Sequence, residues 1–441
     1  MTKRIEFVLA ATAFALSQGC VTTGVSAPRT LQGIEDRAKL PMPAAPTARD
    51  ESAWPPGLQP GSALSSDDAA SLAIWNNKQL QADLATIGVA RADLIDAGLL
   101  RNPRLDMLMP VGSKPFELLL NYPIEVFWQR RRRVAMATQA YEQLGTSLIQ
   151  NGLNTVRDAR LAHADLVLAK ERLRIAKESL SLRSRIAELT DARLRAGDIS
   201  ELDAMAAKSE RAAALEQLAR LHEDVQVANE RLRFAIGLAR DGGAAILAVR
   251  ADAVQITPPI PVSDLLDHAM GARADLKAAE IGINTAMNRA KWEHSRRFQL
   301  VSGQLSSKGI GTNGILTGPG LSLELPIFNR NQGLIARADA DVEVAARQYQ
   351  ALKQRVAFEV QEARALLVQA HAGLEKLNQE VLPAFRRTAD LAEQQYKNGD
   401  VAYLFVLEQS RGSIDAQLRL ADAEAAVRRG IAQLERSVGS K

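Results

Sequence analysis

A chain of 441 residues would ordinarily make about three domains, and 24% charged with 4% aromatic residues, rich in Ala, Leu, Arg and Glu, favours long helices in close contact. The net charge of +4 is spread along the chain, so charge alone gives no reason to infer a nucleic-acid partner. One cysteine, Cys20, excludes an intrachain disulfide.

Lys3 and Arg4 are followed by an apolar run, Phe7 to Leu16, and then by Ser17-Gln18-Gly19-Cys20. That is the plan of a secretory signal peptide over residues 1–19, and the run is too short for a transmembrane helix of about 20 residues. A Cys after Gly at this place resembles a bacterial lipobox, which would make Cys20 the lipidated first residue of the mature chain. Ser17 stands where a lipobox usually has Leu, and the alternative is an ordinary signal peptide with an incidental cysteine. Val21, rather than Asp, implies the outer membrane for such a lipoprotein. Residues 20–64 carry Pro28, Pro41, Pro43, Pro46, Pro55, Pro56 and Pro60. That density predicts an extended, lipid-anchored arm without helix.

From Ser66 a helical period begins, with Ser66-Asp67-Asp68 as its N-cap cluster and Leu72, Trp75, Leu80, Leu84 and Ile87 near one stripe. Phe116-Glu-Leu-Leu-Leu-Asn-Tyr122 then alternates, Phe116, Leu118, Leu120 and Tyr122 against Glu117, Leu119 and Asn121. Period two predicts a half-buried strand. With an earlier partner from about Pro103 to Val111 it forms a hairpin (about 103–124) turning at Gly112-Ser113-Lys114. A very long helix over about 128–196 follows, which would extend roughly 100 Å if unbroken. It ends at Gly197-Asp198, where a C′ glycine fits, and a helix returns over about 200–236.

The chain then repeats itself. Arg195-Ala-Gly197-Asp198-Ile199-Ser-Glu-Leu202 returns as Lys397-Asn-Gly399-Asp400-Val401-Ala-Tyr-Leu404, and Ile236-Gly237 as Val438-Gly439. Ser263-Asp264 opens a second helical stretch. A second hairpin (about 298–325) has Leu321, Leu323 and Leu325 on one face and Ser322 and Glu324 on the other. A long helix (about 331–397) contains Pro383, which should kink it or mark a change in packing. A return helix covers about 402–438. The predicted organisation is two repeats, 65–250 and 251–441.

Four short strands cannot close a membrane barrel, which in bacteria begins at eight strands, but three chains would supply twelve. An apolar outer face with Glu117, Asn121, Ser322 and Glu324 inward suits a lipid-embedded, water-filled barrel. The long helices would then pack against copies of themselves and continue as a tube.

Several segments now carry a family resemblance: Asn102-Pro103, Leu325-Pro326-Ile327-Phe328-Asn329-Arg330-Asn331-Gln332-Gly333, Val381-Leu382-Pro383 and the two Gly-Asp tips. From about residue 65 onward the chain resembles the TolC-family outer membrane factors. The Phe-Asn-Arg-Asn-Gln-Gly run is similar to their cation-efflux (CzcC-like) branch. The resemblance implies a mainly α, duplicated unit forming a homotrimer, a 12-stranded outer membrane β-barrel continuing into a long periplasmic α-helical barrel. It implies a periplasmic adaptor meeting the tips at Gly197, Asp198, Leu202, Gly399, Asp400 and Leu404, and an inner membrane pump of the resistance–nodulation–division (RND) type. It places a constriction near those tips at Phe405 and Glu408, with Asp203 and Ala206 as first-repeat counterparts.

Other signals are weaker. Gly309-Ile-Gly311-Thr-Asn-Gly314 matches G-x-G-x-x-G, but Gly318-Pro319-Gly320 follows instead of a helix, so the segment is a loop. Arg130 to Arg133, just after Trp128, read either as contacts of Trp128, Arg130 and Arg131 with lipid headgroups or as a solvated helix start. The five histidines show no ligand spacing, so no metal site and no cofactor are expected. No catalytic motif is present, so an enzyme is not expected. Three functions stay open: an exit duct for heavy-metal efflux, the same duct for multidrug efflux or type I secretion, and a non-pore periplasmic coiled-coil adaptor or scaffold.

Overall fold

The computed structural model describes residues 28–41, 53–111, 116–124, 126–238, 246–253, 260–296, 301–309, 315–323 and 325–440. The signal peptide, Cys20, the turn Gly112-Ser113-Lys114, residues 310–314 and Glu324 lie outside these. The first half of the chain holds α1 (Pro28–Ala38), α2 (Ser66–Asn76), α3 (Lys78–Gly98), β1 (Arg104–Leu108), β2 (Glu117–Pro123), α4 (Val126–Ala196) and α5 (Glu201–Ala235). The second holds α6 (Val262–Ala272), α7 (Ala274–Ser295), β3 (Val301–Gly309), β4 (Ile315–Leu323), α8 (Gln332–Lys376), a π-helical segment (Leu377–Val381), α9 (Leu382–Asn398) and α10 (Tyr403–Val438). From α2 onward the succession of the first half recurs in the second.

The expected extended arm is corrected by α1. Pro28 occupies its first turn, where a missing N–H costs nothing. The next proline, Pro41, lies beyond Lys39, whose left-handed φ of 53° follows the helix end. Ile34, Ala38 and Leu40 are buried. Proline spacing, not proline density, decides the matter. The N-cap of α2 is Ser65, one residue before the expected cluster. Its Oγ accepts from Asp68 N at 3.2 Å, and Asp68 Oδ2 accepts from Ser65 N at 2.9 Å, a reciprocal capping box.

One compact unit contains residues 83–148 and 274–353. Its sheet runs in the order β1-β2-β3-β4, antiparallel throughout. The strands differ from expectation at their edges. β1 ends at Leu108 rather than Val111, while β3 and β4 lean toward their shared turn and end at Gly309 and begin at Ile315. Arg130 Nε donates to Gly98 O at 2.6 Å and Arg133 Nη2 to Leu99 O at 3.1 Å, so two of the four consecutive arginines satisfy carbonyls at the end of α3. At the entry to α8, Asn331 adopts a φ of 62°. Its Nδ2 donates to Glu293 Oε2 at 2.8 Å and to Glu293 O at 3.0 Å. The asparagine-rich run after β4 thereby holds a buried carboxylate at the end of α7.

The other unit contains residues 31–82, 149–273 and 354–441. Its largest described apolar cluster gathers Leu64, Leu72, Leu166, Val225, Leu232 and Ile236. Leu64 forms a parallel bridge with Val249, and its carbonyl also accepts from the buried His163 Nε2 at 3.0 Å. Two joints recur here. Asn77, with ψ 114°, separates α2 from α3, and its Nδ2 donates to Ala235 O at 3.2 Å. Arg273, with ψ 122°, separates α6 from α7, and its Nη1 donates to Ser437 O at 3.2 Å. Gly237 and Gly439, with φ of 76° and 85°, close the facing helix ends. A Cβ on Gly237 would come within 2.3 Å of Asn76 O, and one on Gly439 within 3.1 Å of Arg273 Cγ.

Pro383 sits in the first turn of α9, immediately after the π-helical segment. A proline inside a helix cannot donate to its i−4 carbonyl. The wider turn of Leu377–Val381 is the structural form of the expected packing transition. Its repeat counterpart, Ser181, lies inside the uninterrupted α4.

Candidate functional site

The sheet register assigns every strand residue to one of two faces, because antiparallel partners project from the same side. Leu105, Met107, Leu118, Leu120 and Tyr122 share a face with Val301, Leu305, Pro319, Leu321 and Leu323. Arg104, Asp106, Glu117 and Asn121 share the opposite face with Ser302, Gln304, Ser306, Lys308 and Ser322. On the apolar face Leu105 is 56% exposed and Leu321 66% exposed. A solvated monomer has no use for that much exposed hydrocarbon in one patch.

The polar face is internally paired. Arg104 Nε donates to Asp106 Oδ1 at 2.8 Å, and Asn121 Nδ2 donates to Asp106 Oδ2 at 2.9 Å. Lys308 Nζ pairs with Glu117 Oε1 at 2.8 Å, directly opposite across β2 and β3. The charges cancel, so this face offers water a polar surface without a strong preference for either ionic sign. Leu108, Leu119 and Leu316 interrupt it. Of the residues expected inward, Glu117, Asn121 and Ser322 fall together on this face; Glu324 lies outside the described residues. Arg104, Asp106 and Lys308 belong with them and were missed. The alternation Arg104-Leu105-Asp106-Met107 could have shown the first two.

Two helix-hairpin tips repeat one backbone device. Gly197 has a φ of 83°, with hydrogen bonds from Gly197 N to Leu194 O and from Asp198 N to Arg193 O, both 3.0 Å. Gly399 has a φ of 87°, with Gly399 N to Tyr396 O at 3.0 Å and Asp400 N to Gln395 O at 2.9 Å. Both are Schellman closures, which need a residue at ease in the left-handed region. Asp198 and Asp400 are exposed. Leu202 is 78% exposed in the first turn of α5, and Leu404 lies in the first turn of α10.

Beneath the tips Ile186, Ala187, Ala207, Ala392, Tyr396, Val406 and Leu407 form a small core. Arg193 stacks over the Tyr396 ring at 4.3 Å from its centroid and donates to Tyr396 O at 2.9 Å. Asp203 is occupied by capping: its backbone N donates to Ser200 Oγ at 3.2 Å, and its Oδ2 accepts from Ser200 Oγ at 2.7 Å. Phe405 and Glu408 are exposed on α10. Trp128 lies in the first turn of α4, followed by the half-buried Arg130 and the exposed Arg131.

Among the described residues no group of three or more His, Cys, Asp or Glu could hold a metal ion. No described helix is long and apolar enough to cross a membrane.

The chain matches the family described as "Outer membrane efflux protein" over residues 70–238 and 265–440. It is 26% identical over 365 residues to the cobalt-zinc-cadmium resistance protein CzcC of Cupriavidus metallidurans, covering 81% of this chain and 85% of that one. It is 24% identical over 374 residues to the probable outer membrane lipoprotein SilC of Salmonella typhimurium, covering 79% and 80%. Its fold is also that of CusC, solved in work on folding and transmembrane channel formation. The TM-score is 0.71 at 19% identity, over 91% of this chain and 98% of that one.

Proposed function

The chain belongs to the outer membrane efflux protein family, and we propose that it is the exit duct of a tripartite system that expels divalent transition-metal cations. The observation that carries this reading is the two-faced sheet, mainly apolar on one side, where Ser307 and Thr317 pair with each other, and polar, charge-balanced and hydrogen-bonded on the other. Three copies would close twelve strands into a barrel in the outer membrane, with the apolar face in lipid and Glu117, Asn121, Ser322 and Glu324 wetting the lumen. β3 and β4, nine residues each, reach the span a tilted strand needs, while β1 with five and β2 with seven are shorter. The similarity to CzcC favours metal cargo over organic compounds or a secreted polypeptide. A balanced polar lumen is a passive conduit, so selection would belong to an inner membrane RND-type pump.

In this reading the repeats 65–250 and 251–441 each contribute a hairpin and a pair of long helices to the barrel and to a periplasmic helical tube. A periplasmic adaptor engages the tips at Gly197, Asp198, Leu202, Gly399, Asp400 and Leu404. Phe405 and Glu408 narrow the tube, and Asp203 contributes through the cap it forms with Ser200. Cys20 carries the lipid, as the lipoprotein relative suggests, and Trp128, Arg130 and Arg131 lie at the membrane surface. The protein is a conduit and not an enzyme.

Deleting the gene and measuring growth and intracellular zinc, cobalt and cadmium tests the cargo. The proposal predicts accumulation and sensitivity to these cations with unchanged tolerance of dyes and detergents. Sensitivity to dyes alone would overturn it in favour of a multidrug duct.

A further inference from the structure

Near the sheet, α4 and α7 enclose a cleft of about 560 Å³ lined by Arg132, Ala135, Asn288, Lys291, His294 and Ser295. Its polar groups divide into those already engaged and those not. Asn288 Nδ2 donates to Gln139 Oε1 at 2.6 Å, and Ser295 Oγ donates to Trp292 O at 2.6 Å. His294 Nε2 lies 3.1 Å from Asp339 Oδ1 and 3.2 Å from Oδ2. Arg132 and Lys291 have no hydrogen bond or ion pair among the described residues. The adjacent Arg130 and Arg133, by contrast, each donate to a carbonyl at the end of α3. Two unneutralised cations therefore share one concave site, with a single carboxylate on its histidine side.

We infer that this cleft is a phosphate-group site, with Arg132 and Lys291 as the recognising cations. A guanidinium offers a fork of donors to two phosphate oxygens, and an ammonium adds a mobile point charge. The cleft's place suggests the source of the phosphate. Arg132 lies six residues into α4, about 9 Å along the helix, and Ser295 ends α7. The headgroup layer adds roughly 5–7 Å to each side of a bilayer's hydrocarbon core. If the sheet spans that core and α4 begins at its edge, the Arg132 backbone lies roughly 2–4 Å beyond the headgroup layer, a gap its long side chain bridges back to the phosphate of an anionic lipid. The inference thus rests on the outer membrane reading for its lipid source, though not for its chemistry.

The test uses the full-length protein, delipidated in dodecyl maltoside, with dioleoylphosphatidylglycerol as probe in native mass spectrometry and inorganic phosphate as competitor. Arg132→Gln with Lys291→Gln should weaken lipid retention about tenfold, whereas Lys277→Gln, exposed on α7 and outside the cleft, should bind as the parent does. Circular dichroism checks that the exposed substitutions leave the helices intact. Lipid retained against millimolar phosphate identifies a headgroup as the occupant. Displacement by phosphate, with phosphate binding lost in the double variant, identifies the free anion and also supports the site. Equal retention of lipid and phosphate by parent and double variant would overturn it. Conductance of the parent in planar bilayers separates the two readings: conduction with equal retention leaves the channel standing and removes the cleft, and a parent that never conducts removes the channel.

Discussion

The two joints solve one problem with different chemistry. At the first, a neutral amide, Asn77, reaches Ala235 O, and its Oδ1 accepts from Leu80 N at 3.0 Å. At the second a guanidinium, Arg273, reaches Ser437 O from a side chain only 1% exposed. A buried charge cannot stand alone. Glu359 Oε2 therefore pairs with Arg273 at 2.6 Å and with Arg436 at 2.5 Å, while Glu359 Oε1 pairs with Arg355 at 3.0 Å. The backbone geometry is common to both halves; the side chain that closes it is free to diverge, but a charged choice draws partners from α8 and α10. At the first joint the closing side chain is neutral, while the buried Arg233 of the facing helix end donates to Leu238 O at 3.2 Å and the buried His163 to Leu64 O.

Large effects are expected at both joints, the first at the glycine facing Asn76. Gly237→Ala puts a Cβ against the backbone of Asn76 at a left-handed φ, and should cost at least about 3 kcal/mol. Gly439→Ala, also at a left-handed φ, meets the Cγ, Cα and N of Arg273 only at 3.1–3.3 Å and should cost about 1–2 kcal/mol. Thermal unfolding followed by circular dichroism ranks them, and equal losses would show that the two joints are not packed as described.

Arg273→Met should cost about 3–5 kcal/mol because it leaves Glu359 short of a partner and Ser437 O unsatisfied. Asn77→Ala should cost about 1–2 kcal/mol by the same measurement. Adding Glu359→Gln to Arg273→Met should recover part of the loss, since it removes the carboxylate whose charge needed the guanidinium. A double variant no better than the single would contradict the ionic account of the second joint.

The halves should also part in their response to acid. Burial holds the His163 imidazole below its ordinary 6.5, against the opposing Leu64 hydrogen bond and nearby Asp252 and Asp68. The unfolded chain then takes up a proton first, so the stability from a neutral His163 is present above 6.5 and declines as pH falls from there through the folded value. Burial pushes the Glu359 carboxyl up, but the Arg273 hydrogen bond and the fields of Arg436 and Arg273 outweigh it and hold it below the usual 4.5. Its contribution is present above 4.5 and is lost as pH falls through the lower folded value. His163→Gln should flatten the first decline and spare the second; a pH profile unchanged by that substitution would remove His163 from the account. The smallest effect belongs to the tips. Ser200→Ala should lose about 1 kcal/mol locally, read as faster amide exchange at the start of α5, while α10, whose Ala402 cap makes no side-chain bond, stays unchanged.

What the sequence made legible follows from what is local. The Gly-Asp turns were readable because a left-handed C′ position selects glycine, and the strand faces because alternation is a period of two. The recurrence of Ile236-Gly237 as Val438-Gly439 was visible, though not its purpose, since Asn76 lies 161 residues before Gly237 and its approach is tertiary. Arg273 and Glu359 were invisible as a pair for the same reason. The cross-strand pair Glu117–Lys308 depends on β2 lying beside β3, which no local pattern fixes. α1 was missed because prolines were counted over the whole arm, when Pro28 and Pro41 bracket the helix instead of breaking it.

The central claim is that one face of the sheet lines a water-filled passage and the other meets lipid. Single-channel conductance in planar bilayers tests it most directly, using the full-length protein with Cys20→Ser and a new thiol at Asn121 or Leu120, neighbours on opposite faces of β2. The account predicts discrete conductance that a charged, membrane-impermeant thiol reagent reduces for Asn121→Cys and leaves unchanged for Leu120→Cys. Block at both positions, at Leu120→Cys alone, or no conductance from folded protein would contradict it.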